Sequence, residues 1–127
     1  MEENKTNVQD ATVGIVAYIT LIGFIIAIVL NGSKEGDEKK FGAFHLRQAL
    51  GLIITSIGVY IVIMILTFLL LAISYKMIFL ISIISMLLYL GILAFLIIGI
   101  INASNKTMKP LPLIGDMINK TLGTTFE

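Results

Sequence analysis

The sequence contains no cysteine and no tryptophan, and its 127 residues include two prolines and one histidine. Without cysteine the chain has no disulfide, no thiolate metal ligand and no lipid attached through sulfur. A lone histidine, His45, cannot form a histidine metal set, and no nucleophile is paired with a base in a motif of known spacing. We therefore expect no enzyme activity, no catalytic or metal site and no cofactor.

Charge is also scarce, since 13% of the residues are charged and 57% are apolar, and the mean hydropathy is +1.01. These values lie far outside the usual range of soluble domains. No charged residue occurs within residues 11–33, 48–75 or 77–105. Each block exceeds the roughly 20 residues that a helix needs to cross a bilayer. The sequence therefore predicts an all-α membrane protein with three transmembrane helices.

We place the three spans at about residues 11–30, 48–74 and 77–102 of a single membrane domain that covers the whole chain. A polar loop, residues 31–47, joins the first two spans, and a surface segment, residues 103–127, follows the third. Because few residues separate the second span from the third, these two should form an antiparallel helical hairpin.

The basic residues predict an orientation. With three crossings, seven of the nine lysines and arginines lie on one side and two, Lys5 and Lys76, lie on the other. The positive-inside rule then places the loop 31–47 and the carboxyl terminus in the cytoplasm, with the amino terminus outside. We expect a multi-pass membrane protein. The basic residues form no extended face, so a nucleic-acid partner is not expected.

The segment FGAFHLRQALG, residues 41–51, concentrates polar side chains where the loop enters the second span. Phe44, His45, Arg47 and Gln48 would make this entry amphipathic on a helix. One interpretation is an interfacial anchor, with aromatic rings among the lipid head groups and Arg47 reaching the phosphates. The other is a polar group that faces the bundle interior. A proton relay is disfavoured because the uncharged spans supply no deeper ionisable group.

A second polar segment follows the third span and contains Asn102, Asn105, Lys109 and Pro110. Its prolines prevent a regular helical continuation. Beyond it, an apolar stripe at helical spacing predicts a short interfacial helix on the cytoplasmic leaflet. Under the predicted topology both polar segments lie on the same side of the membrane. We expect them to form one structural unit that serves as an interaction or docking surface.

These two segments carry a family resemblance. FHLRQALG before the second span and GIINASNKTMKPLPLIG at the end of the third resemble the signature of small bacterial membrane proteins related to the chloroplast inner-envelope protein-import component. The resemblance runs from about Val13 to Gly115. It implies a bacterial cytoplasmic (inner) membrane as the location and a link to protein translocation. Most bacterial members of that family lack an established activity.

Three functions remain open from the sequence. The favoured one is a structural or accessory subunit of a larger membrane assembly, with the link to protein translocation that the resemblance implies. The alternative is a homo-oligomeric channel or small-solute transporter, in which small residues on the spans allow close helix packing. The third is a lipid-binding, membrane-shaping protein. The expected partners are membrane lipids and either another membrane protein or further copies of the chain.

Overall fold

A computed structural model describes residues 6–127, and this part of the chain is built from five helices. In chain order they are α1 (Thr12–Ile19), α2 (Leu21–Gly32), α3 (Gly36–Ile73), α4 (Met77–Ser104) and α5 (Gly115–Leu122). The all-helical prediction is confirmed for these residues.

Helices α3 and α4 form the long antiparallel hairpin that the sequence predicts. They contain 38 and 28 residues, which correspond to about 57 and 42 Å at 1.5 Å per residue. Both are long and apolar enough to cross a membrane. Only Ser74, Tyr75 and Lys76 separate them, so they run side by side in opposite directions. Most of their apolar surface beyond residue 60 is exposed, as expected for helices that face lipid.

The first apolar run is not a third span, and this part of the prediction is wrong. The helix breaks at Thr20, whose backbone is extended with φ −153° and ψ 173°. The Thr20 hydroxyl accepts a hydrogen bond from the Gly23 amide at 2.9 Å, as a threonine at a helix N-cap does. The two pieces, of 8 and 12 residues, are about 12 and 18 Å long and therefore too short to cross.

The two pieces instead fold into a short hairpin that enters and leaves at the same end of α3 and α4. At its start, Gly14 lies against Phe41 and Ala103. At its other end, Asn31 donates a hydrogen bond to the Lys39 carbonyl at 3.3 Å. The tight reversal needs a glycine, because a Cβ at Gly23 would lie 2.6 Å from the carbonyl oxygen of the preceding helix.

The predicted polar loop 31–47 is mostly helix. α3 begins at Gly36, twelve residues before the predicted start at 48, and only Ser33, Lys34 and Glu35 connect it to α2. Residues 41–49 are all buried, so the entry to the long helix is not an amphipathic surface. The reason is that α1, α2 and the carboxyl-terminal segment surround it, which periodicity within α3 alone cannot reveal.

The first described residues and the carboxyl-terminal segment meet at one end of the helix hairpin. We call this end the polar end, and it comprises residues 6–52 and 99–127. The Thr6 amide donates to the Lys106 carbonyl at 3.1 Å. Lys34 Nζ lies 3.4 Å from Asp10 Oδ2. Hydrogen bonds from Thr12, and more weakly from Lys34, hold the pKa of Asp10 below its usual value. The predicted placement of the two termini on opposite sides of the membrane required a third crossing, and it is not supported without one.

Because the chain has no cysteine, single cysteines can test this arrangement directly. We expect Gln9→Cys and Asp116→Cys to react with a membrane-impermeant maleimide from the same side of sealed vesicles, and Tyr75→Cys to react only from the other side. All three positions are exposed. Labelling is measured by mass shift before and after the vesicles are opened. Labelling of Gln9→Cys together with Tyr75→Cys would instead support three crossings.

Candidate functional site

Gln48 connects α3 to the carboxyl-terminal segment. Its side chain is fully buried, and its Nε2 donates to the Gly115 carbonyl and to Asn119 Oδ1, each at 3.0 Å. Its Oε1 accepts from the Leu111 amide, also at 3.0 Å. A buried amide must satisfy its donors and acceptors within the protein. Gln48 does so by holding both the extended residues before α5 and α5 itself.

His45 lies one turn earlier on α3 and connects α1 to the same segment. Its Nε2 is 2.8 Å from the Thr107 carbonyl oxygen, which can only accept, so Nε2 carries the proton of the neutral ring. Its Nδ1 is 2.9 Å from the Tyr18 hydroxyl and therefore accepts a hydrogen bond from it. The rings of Phe41 and Phe44 pack edge-on against His45, at centroid distances of 4.7 and 5.1 Å.

Arg47 contacts the last residues of the chain rather than lipid. Its Nη1 donates to the Thr125 carbonyl at 3.2 Å and lies 3.3 Å from a Glu127 carboxylate oxygen. The side chain is 6% exposed, so it cannot act as the predicted interfacial anchor in this fold. Beside it, Asn31 donates to the Phe126 carbonyl at 3.3 Å, and the rings of Phe24 and Phe126 meet edge-on at 6.0 Å.

Glycines allow the surrounding helices to approach this cluster. The Tyr18 ring lies directly on the backbone of Gly99 in α4, and Asn31 lies on Gly42 in the same way. In both places a Cβ would overlap the neighbouring side chain. These close approaches bring α1 and α2 near enough for the hydrogen bonds described above.

The two polar segments do meet, which confirms the prediction that they form one structural unit. The bonds run from His45 to Thr107 and from Gln48 to Leu111 and Gly115. These bonds are made to backbone groups. Thr107 lies between the predicted residues Asn105 and Lys109, and Leu111 and Gly115 follow the predicted Pro110. The Asn102 side chain donates to the Lys109 carbonyl at 3.3 Å and so closes the turn within its own segment.

The other predicted residues of the second segment have different environments. Pro110 packs beside Gly115, where a Cβ would lie 2.6 Å from the proline ring. Asn105 ends α4 and is exposed, as is Lys109. Whether these residues dock a partner stays a prediction. His45 holds the carbonyl of Thr107, which lies between Asn105 and Lys109 in the chain.

Four residues of the cluster were missed by the sequence analysis, namely Tyr18, Asn31, Thr107 and Asn119. Asn119 had a usable signal, since it lies four residues after Gly115 and so on the same face of the predicted short helix. Tyr18 had none, because the apolar run that contains it was interpreted as a membrane span. Asn31 was assigned to the polar loop 31–47 that follows this run, and nothing there indicated a buried partner.

The arrangement is suited to holding helices together. The hydrogen-bonding atoms of His45 and Gln48 are all engaged within the fold, and neither side chain reaches the surface. Among residues 6–127 no group of three or more histidine, aspartate and glutamate side chains could hold a metal ion. The polar side chains thus stabilise a packed end on two long apolar helices.

This fold and cluster define a small helical membrane protein with a hydrogen-bonded polar end. Residues 8–118 match the sequence model of the magnetosome magnetite crystal formation protein family (MamF/MmsF). The match covers most of the 127 residues, and the chain belongs to this family. Searches of curated proteins and of solved structures found no match.

The family match corrects the resemblance to the chloroplast protein-import component. Both motifs that carried that resemblance lie within the matched residues 8–118. In the structure these motifs pack against each other at the polar end. They therefore reflect how this end is built, and protein translocation is not supported.

Proposed function

We propose that the chain is a non-enzymatic accessory protein of a membrane compartment in which crystals form. Its family is named for magnetosome magnetite crystal formation. The observation that carries the accessory role is the complete internal use of the His45 and Gln48 side chains. A site for substrate or for a transported ion would keep polar groups directed into an open cavity.

The distribution of charge supports an orientation with the polar end in the cytoplasm. Within residues 6–127 that end contains seven basic residues, and the turn at the far end contains Lys76 alone. The positive-inside rule favours the cytoplasm for the side with seven. The far turn, Ser74–Lys76, would then face the interior of the compartment.

The composition of the far turn argues against direct contact with the mineral. The sequence has no aspartate or glutamate between Lys39 and Gly115, so the far turn offers no carboxylate, a preferred oxygen ligand for many metal ions. An accessory role in the membrane fits this better than binding to the crystal. The exposed apolar faces of α3 and α4 would contact lipids, other membrane proteins or further copies of the chain.

Replacement of a family member in a magnetite-forming bacterium tests this proposal. The host's own member is deleted, this chain is supplied with a carboxyl-terminal tag, and membranes are fractionated while crystals are sized by electron microscopy. We expect the chain in the crystal-containing vesicles and crystal diameters that return toward those of the parent strain. An even distribution over the cell envelope, with crystal size as in the deletion strain, would contradict the proposal.

A further inference from the structure

A cavity of about 320 Å³ lies between the tip of the α1–α2 hairpin and the two long helices. Its walls come from three places: the chain reversal around Thr20, residues 49–57 of α3, and the middle of α4. Among the lining residues are Tyr18, Ala49, Leu52, Ile53, Ser56 and Leu96. The cavity exists because the first apolar run turns back at Thr20 and leaves the space beside α3 and α4 unfilled.

The polar side chains of the lining are already engaged. Ser56 Oγ donates to the Leu52 carbonyl at 2.7 Å. Thr20 Oγ1 accepts from the Gly23 amide at 2.9 Å, and the Tyr18 hydroxyl bonds to His45. A water molecule needs two to four polar partners to be stable in a cavity, whereas apolar cavities take apolar ligands. The lining therefore favours a hydrocarbon ligand over water.

The position of the cavity identifies the source of that hydrocarbon. Its rim includes Ile19, Leu21 and Ile57, which are 54%, 63% and 55% exposed, and this rim continues into the apolar outer surface of α3 and α4. On α4 it lies at residues 92–96, about 12 to 18 Å along the helix from its end at Ser104. That depth lies within the hydrocarbon of a bilayer about 30 Å thick.

We propose that this cavity is a binding site for one acyl tail of a membrane lipid, held as a resident ligand. Walls from α1, α3 and α4 contact the tail on several sides, whereas a lipid at the open surface of α3 touches one helix face. Its volume is at the lower end of the range of about 300 to 1,000 Å³ for ligand pockets, which suits part of one tail and excludes a whole lipid. This proposal is independent of the role in crystal formation.

Photolabelling of the wild-type chain tests the proposal. The protein is reconstituted in vesicles of phosphatidylcholine that include a small fraction with a diazirine near the end of one acyl tail. After irradiation, labelled positions are mapped by mass spectrometry. We expect residues 49–57 to carry several times more label per residue than residues 60–73 of the same helix. Equal labelling of the two segments would mean ordinary surface contact with lipid and would overturn the proposal.

A matched pair of variants at one position gives a second test. Ser56→Phe fills the cavity, whereas Ser56→Ala removes the same hydroxyl and leaves the space open. We expect label at residues 49–57 to fall about tenfold in Ser56→Phe, as for the loss of roughly two buried methylenes of the tail, and to be unchanged in Ser56→Ala. Equal labelling of both variants overturns the proposal, as does crosslinking between two copies through this cavity. If Ser56→Phe fails to fold, the wild-type map decides alone.

Discussion

Replacing Gln48 with leucine is expected to release the carboxyl-terminal segment from α3. Leucine has a similar volume but no polar atom, so the buried Leu111 amide and the Gly115 and Asn119 oxygens lose their partner. Each buried polar group left unsatisfied costs about 1–3 kcal/mol. We expect a loss of about 3–5 kcal/mol in the free energy of unfolding, measured by denaturation in detergent micelles, and rapid protease cleavage within residues 105–127.

Thr67→Val is the matched control for Gln48→Leu. It also removes a polar side chain from α3, but the Thr67 hydroxyl bonds only to the Ile63 carbonyl one turn back in the same helix. Such a bond contributes little because that carbonyl keeps its bond within the helix. We expect stability and cleavage as in the wild-type chain. A Gln48→Leu protein as stable and as protease-resistant as Thr67→Val would show that Gln48 does not hold the segment.

Gly99→Leu is expected to displace α1 from α4. The Tyr18 ring occupies the position that any side chain at residue 99 would need, so the ring must move and its hydrogen bond to His45 must break. Overpacking of a tight contact typically costs about 1–3 kcal/mol, and the unpaired His45 nitrogen adds to that cost. We expect a lower melting temperature in micelles.

Gly91→Leu, eight residues earlier on the same helix, is the control for this change. No atom lies within 4 Å of a Cβ built at Gly91, so leucine there meets only lipid or detergent. Glycine in a helix interior costs about 0.8–1 kcal/mol relative to alanine, and leucine ranks next to alanine. Gly91→Leu should therefore be as stable as the wild-type chain or more so. Equal melting temperatures for the two variants would contradict the close contact between Tyr18 and Gly99.

Some of the candidate site could be predicted because it lies on regular elements. His45, Arg47 and Gln48 were recognisable as costly polar side chains beside an apolar helix, and a partner segment was expected after α4. Their actual bonds were not predictable, because most of the acceptors and donors are backbone groups of Thr107, Leu111 and Gly115. Because every residue has these backbone groups, the sequence does not indicate which of them form the hydrogen bonds.

The main error of the sequence analysis was to predict an unbroken helix through Thr20. An apolar run of twenty residues predicts one span by length, and a threonine within such a run is ordinary. What makes Thr20 a helix start is its bond to Gly23 together with the close return of α2 against α1. The predicted orientation of the amino terminus depended on a third crossing and is not supported without it.

The sequence by itself determined that the chain is helical, apolar and built on a hairpin of two long helices, because hydropathy and helix length are properties of local segments. Only the tertiary structure decided that the first run folds back, that residues 41–49 are enclosed, and that Thr6 lies against Lys106. These features depend on contacts between residues such as Tyr18 and Gly99, which lie far apart in the chain and come together only when the helices pack.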